Sequence, residues 1–190
     1  MPDPFIVKVG GSLFDRPDLG SRLRDWLAAH APRETILVPG GGRLADVVRD
    51  LDRTHALGDE LAHRLALHAM TINAHLLAAL VPDACVIDGP DLAELLWEQD
   101  RRPVLDALAF CESDEPDALP DTWAVTSDSI AARLAVVAGA ADLVLLKSAP
   151  PPAGDVAAWA AAGYVDAWLP RVLAGTAIRL TAVDLTRWTS

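Results

Sequence analysis

The amino-acid sequence predicts an α/β fold with a mostly parallel central sheet, and three observations lead to that prediction. Short apolar segments alternate with segments of roughly 10–20 residues that have helical spacing, the pattern of strand–helix–strand units with right-handed crossovers. The segment LVLL at 143–146 is apolar throughout, as expected of a strand covered on both faces. The chain has 190 residues with no internal repeat or low-complexity linker, so we expect one domain over residues 1–190.

The strands are predicted from short apolar segments, most of them bounded by turn residues. In chain order they are Phe5–Val9, Thr35–Val38, Ala84–Ile87, the short extended piece Val104–Leu105, Trp123–Val125 and Leu143–Leu146. The acidic segment ESDEPDALPD, Glu112–Asp121, lies before Trp123–Val125. Its charges and two prolines predict a solvated loop.

The helices are predicted from apolar residues that recur at intervals of three or four. They are Leu19–Ala31, a helix that follows the glycines at 40–42, Asp59–Leu80, Leu92–Glu98 and Asp128–Ala138. The apolar face of the second helix is made of Leu44, Val47, Val48 and Leu51. The core stripe of Asp59–Leu80 is expected to be Leu61, Leu65, Ile72, Leu76 and Leu80.

The composition argues against several classes of function. With 52% hydrophobic and 23% charged residues, the chain is globular rather than disordered. A net charge of −11 argues against binding to a nucleic-acid backbone, although a small anion can still be held by local groups. Apolar segments stop well short of about 20 residues and no secretion signal opens the chain, so we expect no membrane span and a cytoplasmic protein. Cys85 and Cys111 lack metal-site spacing and are expected to be free, buried thiols.

Three predicted strands end in turns that suit an anionic ligand. The turns are KVGGS at Lys8–Ser12, VPGGGR at Val38–Arg43 and VTSDS at Val125–Ser129, and each precedes a helix or a helical start. Glycine lets a backbone approach a phosphate closely, and N–H groups at a helix start bind anions. Neither a P-loop GxxxxGK[ST] nor a Rossmann GxGxxG is present, so any phosphates are held in another way. Because ligands of open α/β sheets bind at the carboxyl ends of strands, we expect the three turns to meet.

Lysine is scarce in this chain and occurs only at Lys8 and Lys147, while arginine supplies the other fourteen positive charges. Both lysines lie inside or at the end of predicted strands, in IVKVGG and LVLLKS. One interpretation is an edge-strand lysine that extends to water. The other, favoured because both lysines share this placement, is a positively charged floor beneath phosphoryl oxygens.

The segments KVGGSL, VPGGGRLADVVR, TSDSIAARLA and ADLVLLKS together resemble the signature segments of the amino acid kinase family. They follow the family's order from residue 5 to about residue 148. The resemblance implies a three-layer αβα sandwich around a mainly parallel sheet. It also implies that Lys8 contacts the transferring phosphoryl group, that Asp128 orients the lysines, and that Lys147 neutralises phosphate charge.

The same resemblance implies binding roles for the turns. Gly10, Gly11 and Ser12, with Thr126 and Ser127, would hold the nucleotide phosphates. Gly40, Gly41 and Gly42 would lie beneath the acceptor, and Arg43 either reaches an acceptor phosphate or forms a surface salt bridge. The implied cofactors are ATP and Mg²⁺, with the metal held by ATP and not by a protein site.

Within the family, LHAMTINAHLLAAL, WAVTSDSIAARLA and LVLLKS in so short a chain most resemble the aminomethylfuranmethyl phosphate kinases of methanofuran biosynthesis. That branch implies a phosphate monoester as acceptor. The alternatives are a kinase for a uridylate-like or carboxylate acceptor, and a non-catalytic nucleotide-binding regulatory protein. Relatives commonly form dimers or rings of dimers, which implies a homo-oligomer, and the apolar helix Asp59–Leu80 is the candidate interface.

The sequence departs from the family after the last lysine. KSAPPPAGDVAAW stands where the family usually has DVDGVY, and prolines 150–152 supply no backbone N–H donors. The C-terminal nucleotide-binding part is also shortened. His68 and His75 lack the spacing of a zinc pair and are expected to be core or acceptor-pocket residues. Weaker candidates are Thr71, Asn73 and Asp166, while Trp159, Trp168 and Trp188 are expected to pack.

Overall fold

The computed structural model describes residues 4–32, 34–115 and 118–189. In the described part, six strands form one sheet in which every pair of neighbours is parallel. The strands are β1 Phe5–Val9, β2 Thr35–Pro39, β3 Ala84–Ile87, β4 Arg102–Leu105, β5 Asp142–Lys147 and β6 Arg179–Asp184. The predicted α/β class with a parallel sheet is therefore confirmed.

The strand order is β3-β4-β2-β1-β5-β6, so β1 lies in the middle between β2 and β5. From β1 the chain builds one half of the sheet through β2, β3 and β4, and it then returns to build the other half with β5 and β6. The order of the strands thus reverses at β1. In open α/β sheets the ligand crevice lies outside the carboxyl ends of the strands at such a point.

Eight α-helices and two short 3₁₀ helices connect the strands in the described residues. They are α1 Leu19–His30, α2 Gly42–His55, α3 Asp59–Leu80, α4 Ala93–Glu98, α5 Ala107–Ser113, α6 Ser127–Val137, α7 Val156–Ala161 and α8 Leu169–Leu173, with 3₁₀ helices at Gly11–Asp15 and Pro90–Leu92. The four helices predicted with bounds agree with α1, α3, α4 and α6 to within one residue at each end, because their apolar periodicity is strong. Among the described residues, no helix is both long enough and apolar enough to cross a bilayer.

The two faces of the sheet carry separate apolar cores, because successive strand residues point to opposite sides. Ile6 and Leu145 belong to the core that also contains Ile130 of α6. Val7 belongs to the second core, with Leu23 of α1. Helices therefore cover both faces of the sheet, which is the expected three-layer arrangement.

The predicted strand at Trp123–Val125 is wrong. These residues form a turn in which the N–H of Val125 donates to the carbonyl of Thr122, and no sheet strand pairs with them. The indole N–H of Trp123 donates instead to Asp52 of α2 at 3.0 Å. The neighbouring acidic segment is also only partly a loop, since Glu112 and Ser113 complete α5.

The predicted core stripe of α3 is also largely wrong. Leu61, Ile72 and Leu76 are exposed, at 47%, 58% and 44%, and on α2 the side chains of Leu44, Val47 and Leu51 are exposed as well. The buried face of α3 consists of smaller and more varied side chains: Ala62, His63, Ala66, Leu67, Ala69, Met70, Asn73, Ala74 and Leu77. The helix carries two apolar stripes, and periodicity alone does not distinguish which of them faces the core.

Beyond β5 the structure adds α7, α8 and β6, which were not predicted. β6 pairs with β5 over its whole length, from Asp142 opposite Arg179 to Lys147 opposite Asp184. Its side chains alternate between exposed and half-buried at first, as expected of a strand at the edge of a sheet. Cys85 and Cys111 are unbonded thiols, as expected, although both are only partly buried.

Candidate active site

Two lysines and one aspartate form a buried ion cluster at the carboxyl end of the sheet. Lys8 Nζ lies 2.7 Å from Asp128 Oδ1, and Lys147 Nζ lies 2.7 Å from Asp128 Oδ2. Lys8 and Asp128 are 4% and 3% exposed. Lys8 pairs with Leu145 in the neighbouring strand, so Lys147, two residues further, points to the same face, where α6 packs.

The cluster has an excess of positive charge. Burial alone would raise the pKa of Asp128, but the two ammonium groups outweigh it and hold that pKa below its usual range. Burial and the nearby Lys8 ammonium lower the pKa of Lys147 to about 8, against the opposing pull of Asp128. At neutral pH the three groups therefore carry a net charge of +1, and a buried positive charge attracts an anionic ligand.

The two glycine turns after β1 and β2 pack backbone against backbone. A Cβ on Gly11 would lie 2.3 Å from the nitrogen of Gly42, and a Cβ on Gly40 would lie 2.6 Å from the nitrogen of Gly11. Gly42 also has φ +54°, a conformation that side chains disfavour. Asn73 of α3 donates to the carbonyls of Gly40 and Gly41 and fixes the second turn from below. These glycines are therefore required by the close approach of the two turns.

We expect Gly11→Ala to destabilise the fold by about 2–3 kcal/mol, because the new methyl group meets backbone atoms of the second turn that cannot move aside alone. The measurement is urea unfolding followed by circular dichroism. Gly89→Ala is the matched control, since a Cβ there meets nothing within 4 Å and the expected change is within about 0.5 kcal/mol. Equal stabilities of the two variants would contradict the packing described here.

A cavity of about 130 Å³ lies beside the two glycine turns. Gly11, Gly41 and Gly42 line one part of it, and Arg49, His63 and Trp123 line another. The remaining walls are mostly apolar side chains from α3, the turn before α6 and α6 itself: Leu67, Met70, Val125 and Ile130. The glycine turns thus share one cavity with apolar and aromatic side chains.

Asp166 holds the turn that presents Asp128. Its carboxylate accepts from the N–H and the hydroxyl of Thr126 at 3.0 and 2.9 Å, and from the N–H and hydroxyl of Ser129. It also accepts from the N–H groups of Trp168 and Leu169 at the start of α8. One carboxylate thus satisfies the first turns of two helices, where N–H groups have no partner within the helix.

Residues 3–150 of the chain match the sequence pattern described as the amino acid kinase family. The chain belongs to this family. The [5-(aminomethyl)furan-3-yl]methyl phosphate kinase of Methanocaldococcus jannaschii is 29% identical over 126 residues. That alignment covers 66% of this chain and 56% of the relative, so the matched part spans a little over half the length of the curated relative.

Solved structures with a similar fold include two uridine monophosphate kinases. Uridylate kinase from Archaeoglobus fulgidus has a TM-score of 0.66 at 17% identity, over 93% of this chain and 88% of that one. UMP kinase from Ureaplasma parvum has a TM-score of 0.69 at 14% identity, over 98% of this chain and 92% of that one. At these identities the likeness shows the amino acid kinase fold alone.

The structure brings together most of the residues that the family resemblance singles out. Lys8, Asp128 and Lys147 are in contact, and Gly11, Gly41, Gly42, Thr126 and Ser127 line one cavity. Ser12 Oγ lies 2.8 Å from Ser148 Oγ, a contact between the turns after β1 and β5.

Several other predicted groups already have partners within the protein. The N–H of Gly10 donates to Leu146, the N–H of Gly40 donates to Val9, and both donors of Thr126 bind Asp166. Arg43 is exposed, and its Nε lies 3.7 Å from Asp15 Oδ1. This is the surface salt bridge, one of the two alternatives given for Arg43 from the sequence. The groups of Gly10, Gly40 and Thr126 therefore support the turns from within the protein.

Two side chains that line the cavity, His63 and Trp123, were not predicted as site residues. His68 and His75, the histidines expected in the core or pocket, are exposed, so that expectation is wrong, and His63 is the buried one. Trp123 was assigned to a strand and instead lines the cavity. The signal for His63 lay in its position one turn before Leu67 on the buried face of α3, which was not recognised as the buried one.

The segment after β5 packs onto the C-terminal helices. Tyr164 donates its hydroxyl to the carbonyl of Ala149 at 3.0 Å, and the indole N–H of Trp159 donates to the carbonyl of Pro152 at 2.9 Å. Lys147 Nζ donates to the carbonyl of Tyr164 at 2.9 Å. The proline-rich replacement of the family's usual segment is thus held close to the ion cluster.

Proposed function

We propose that this chain is a kinase that transfers the γ-phosphoryl group of ATP to a phosphate monoester, with [5-(aminomethyl)furan-3-yl]methyl phosphate as the favoured acceptor. The observation that carries the proposal is the buried Lys8–Asp128–Lys147 cluster at the carboxyl ends of β1 and β5. Family membership supports phosphoryl transfer, and the named relative from Methanocaldococcus jannaschii supports this acceptor.

The residues present fit the phosphates of ATP. A net positive buried cluster suits anionic oxygens, and Gly11, Gly41 and Gly42 line the neighbouring cavity, where backbone without a side chain lets a phosphate approach closely. ATP supplies the transferable phosphoryl group and carries Mg²⁺. Among the described residues, no three His, Cys, Asp or Glu side chains are arranged to hold a metal ion.

The chemistry asks the protein mainly to position two anions and to cancel charge. In the proposed reaction an oxygen of the acceptor phosphate bonds to the γ-phosphorus while the bond from that phosphorus to the β-bridging oxygen breaks, which leaves ADP. Lys8 and Lys147 stabilise the charge on the transferring group, and Asp128 holds both ammonium groups in place. An acceptor phosphate is already anionic near pH 7, since its second pKa is about 6, so no general base is needed.

The pH dependence of kcat/KM follows from the charge on Lys147. The ammonium form stabilises the transferring phosphoryl group, and its pKa of about 8 means that this form is lost as the pH rises. We expect kcat/KM to fall above pH 8, since this parameter reports ionisations of the free enzyme. Lys147→Arg, which stays charged, should move the fall above pH 10. A wild-type profile that stays flat to pH 10 would contradict this role.

A panel of acceptors tests the proposed function. Purified chain, ATP and Mg²⁺ are incubated with the furan phosphate, with UMP and with a carboxylate acceptor, and ADP release is followed. We expect turnover with the furan phosphate. Turnover with UMP alone would establish the uridylate-like alternative. ATP binding without turnover of any acceptor would favour the regulatory alternative. The segment KSAPPPAGDVAAW, which stands where the family usually has DVDGVY, supports that alternative.

We also propose that the chain acts as one domain over residues 1–190, with a shortened C-terminal nucleotide-binding part, and that it forms a homodimer or larger homo-oligomer. The exposed side chains of Leu61, Ile72 and Leu76 on α3, with those of Val47 and Leu51 on α2, support self-association. Analytical ultracentrifugation of the wild type and of Ile72→Glu tests the proposed oligomer. A monomeric wild type would contradict self-association.

A further inference from the structure

His63 is a buried side chain with one unsatisfied nitrogen at the cavity. It is 4% exposed and belongs to the buried face of α3. Its Nδ1 lies 3.1 Å from Asp121 Oδ1, and its Nε2 has no hydrogen-bond partner among the described residues. Buried polar atoms normally have a partner, and leaving one unpaired costs about 1–3 kcal/mol. The ring also lines the cavity beside the glycine turns.

The contact with Asp121 decides which hydrogen bond Nε2 can make. An ionised carboxylate only accepts hydrogen bonds, so Nδ1 must carry the proton that it donates to Asp121. In the Nδ1–H tautomer, Nε2 carries a lone pair. A lone pair requires a ligand that donates.

The position of His63 sets the distance between the donor group of the ligand and the glycine turns, where the phosphate would bind. Met70 lies against the glycine turn, with its Cγ 3.7 Å from a Cβ built on Gly41. His63 comes seven residues earlier on the same helix, about 10 Å along its axis. Arg49 is likewise seven residues, about 10 Å, beyond Gly42 on α2. The far end of the cavity is therefore about two helical turns from the glycines.

The charges at this far end favour a cation. Asp121 bonds to His63, and Asp52 accepts from the indole of Trp123. The guanidinium of Arg49 lies 4.7 Å above the Trp123 ring and is paired with Asp46 at 2.7 Å. Three carboxylates thus each contact a residue that lines this end of the cavity, against one guanidinium, and their field favours a positively charged group on the ligand.

We propose that His63, held by Asp121, is the residue that selects the acceptor: its Nε2 accepts a hydrogen bond from an ammonium group on the acceptor. The inference rests on the proposed function, and it narrows the acceptor to a class. That class is a phosphate monoester whose amine lies roughly 7–10 Å from the phosphorus, across an apolar spacer that fits the walls of Leu67, Met70 and Val125.

The test compares two acceptors that differ only in the amine. One is [5-(aminomethyl)furan-3-yl]methyl phosphate, and the other carries methyl in place of aminomethyl. The wild type is expected to prefer the amine by about 10- to 100-fold in kcat/KM, as for a hydrogen bond to a charged group. In His63→Ala this preference is expected to shrink to about 3-fold or less, while the methyl compound and the KM for ATP change little. A merely structural role of His63 would lower the rates of both acceptors alike.

Control variants make the result specific to this nitrogen. His68→Ala removes an exposed histidine from the same helix and should leave the preference intact. Asp121→Ala, at a side chain that is 64% exposed, keeps His63 and should reduce the preference in part, which serves if His63→Ala does not fold. An unchanged preference in both His63→Ala and Asp121→Ala would overturn the inference.

Binding measurements separate this inference from the proposed function. If the wild type turns over neither compound, the proposed acceptor is wrong, and calorimetric titration of the same two compounds still tests His63. A ratio of Kd values that favours the amine in the wild type and is lost in His63→Ala supports the inference. Equal Kd values for the two compounds in the wild type, or no binding of either, overturn it.

Discussion

Replacing Lys8 by methionine is expected to lower kcat/KM for phosphoryl transfer by about 10³-fold while the fold is retained. Lys8 Nζ is 2.7 Å from Asp128 and lies near the carboxyl end of β1, an inner strand of the sheet. The substitution therefore removes a positive charge that contacts the transferring group in the proposed site. The variant leaves Asp128 and Lys147 as a neutral pair at 2.7 Å, and methionine fills a similar volume. The measurement is ADP release in a coupled assay, with thermal unfolding of the same sample.

Arg179→Met is the matched control for this change. Arg179 is an exposed cation at the amino end of β6, paired with Asp142, and lies at the opposite end of the strand from the ion cluster. We expect its kcat/KM to stay within about 2-fold of the wild type, since surface ion pairs contribute little. Activity of Lys8→Met within 10-fold of the wild type, with an intact fold, would remove Lys8 from the site.

Replacing Asp166 by alanine is expected to lower the free energy of unfolding by about 3 kcal/mol or more. Its carboxylate accepts from four backbone N–H groups, at Thr126, Ser129, Trp168 and Leu169, and from two hydroxyls. Each N–H left without a partner costs part of its desolvation energy. Because α6 then loses the anchor of its first turn, which carries Asp128, we expect kcat to fall as well.

Asp155→Ala is the matched control for Asp166. Asp155 also caps a helix, but its side chain accepts from a single N–H, that of Ala158 at 3.0 Å, and this bond is exposed. Its loss is expected to cost about 1 kcal/mol. Urea unfolding of the three proteins gives the comparison. Equal losses in the two variants would contradict the assignment of Asp166 as the support of both helix starts.

The ion cluster was predictable from sequence because its members are marked locally. Lys8 and Lys147 stand out as the only lysines, each in an apolar strand, and Asp128 follows a turn at the start of a helix. Parallel topology brings the carboxyl ends of β1 and β5 together, which accounts for the two lysines, whereas the family resemblance predicted the role of Asp128, since the strand predicted before it is absent.

The cavity was not predictable in the same way, because the residues that line and support it meet through packing between distant parts of the chain. Asp166 lies 40 residues from Thr126, and Asp121 lies 58 residues from His63, so no spacing signals either contact. The face of α3 was assigned wrongly because larger apolar residues lie on its exposed side and alanines on its buried side. Close packing of α3 favours small side chains there, which hydrophobic periodicity does not weigh.

The central claim is that the cluster beside the glycine turns transfers a phosphoryl group to an acceptor phosphate, and ³¹P NMR of the reaction tests it most directly. Chain, ATP, Mg²⁺ and [5-(aminomethyl)furan-3-yl]methyl phosphate are combined, and the products are followed with wild type and Lys8→Met. We expect the acceptor phosphate signal to be replaced by the two coupled signals of a diphosphate ester, with one ADP per ester formed, in the wild type alone. Two results would contradict this claim: an acceptor signal that stays unchanged in the presence of excess ATP, or formation of the same diphosphate ester by Lys8→Met.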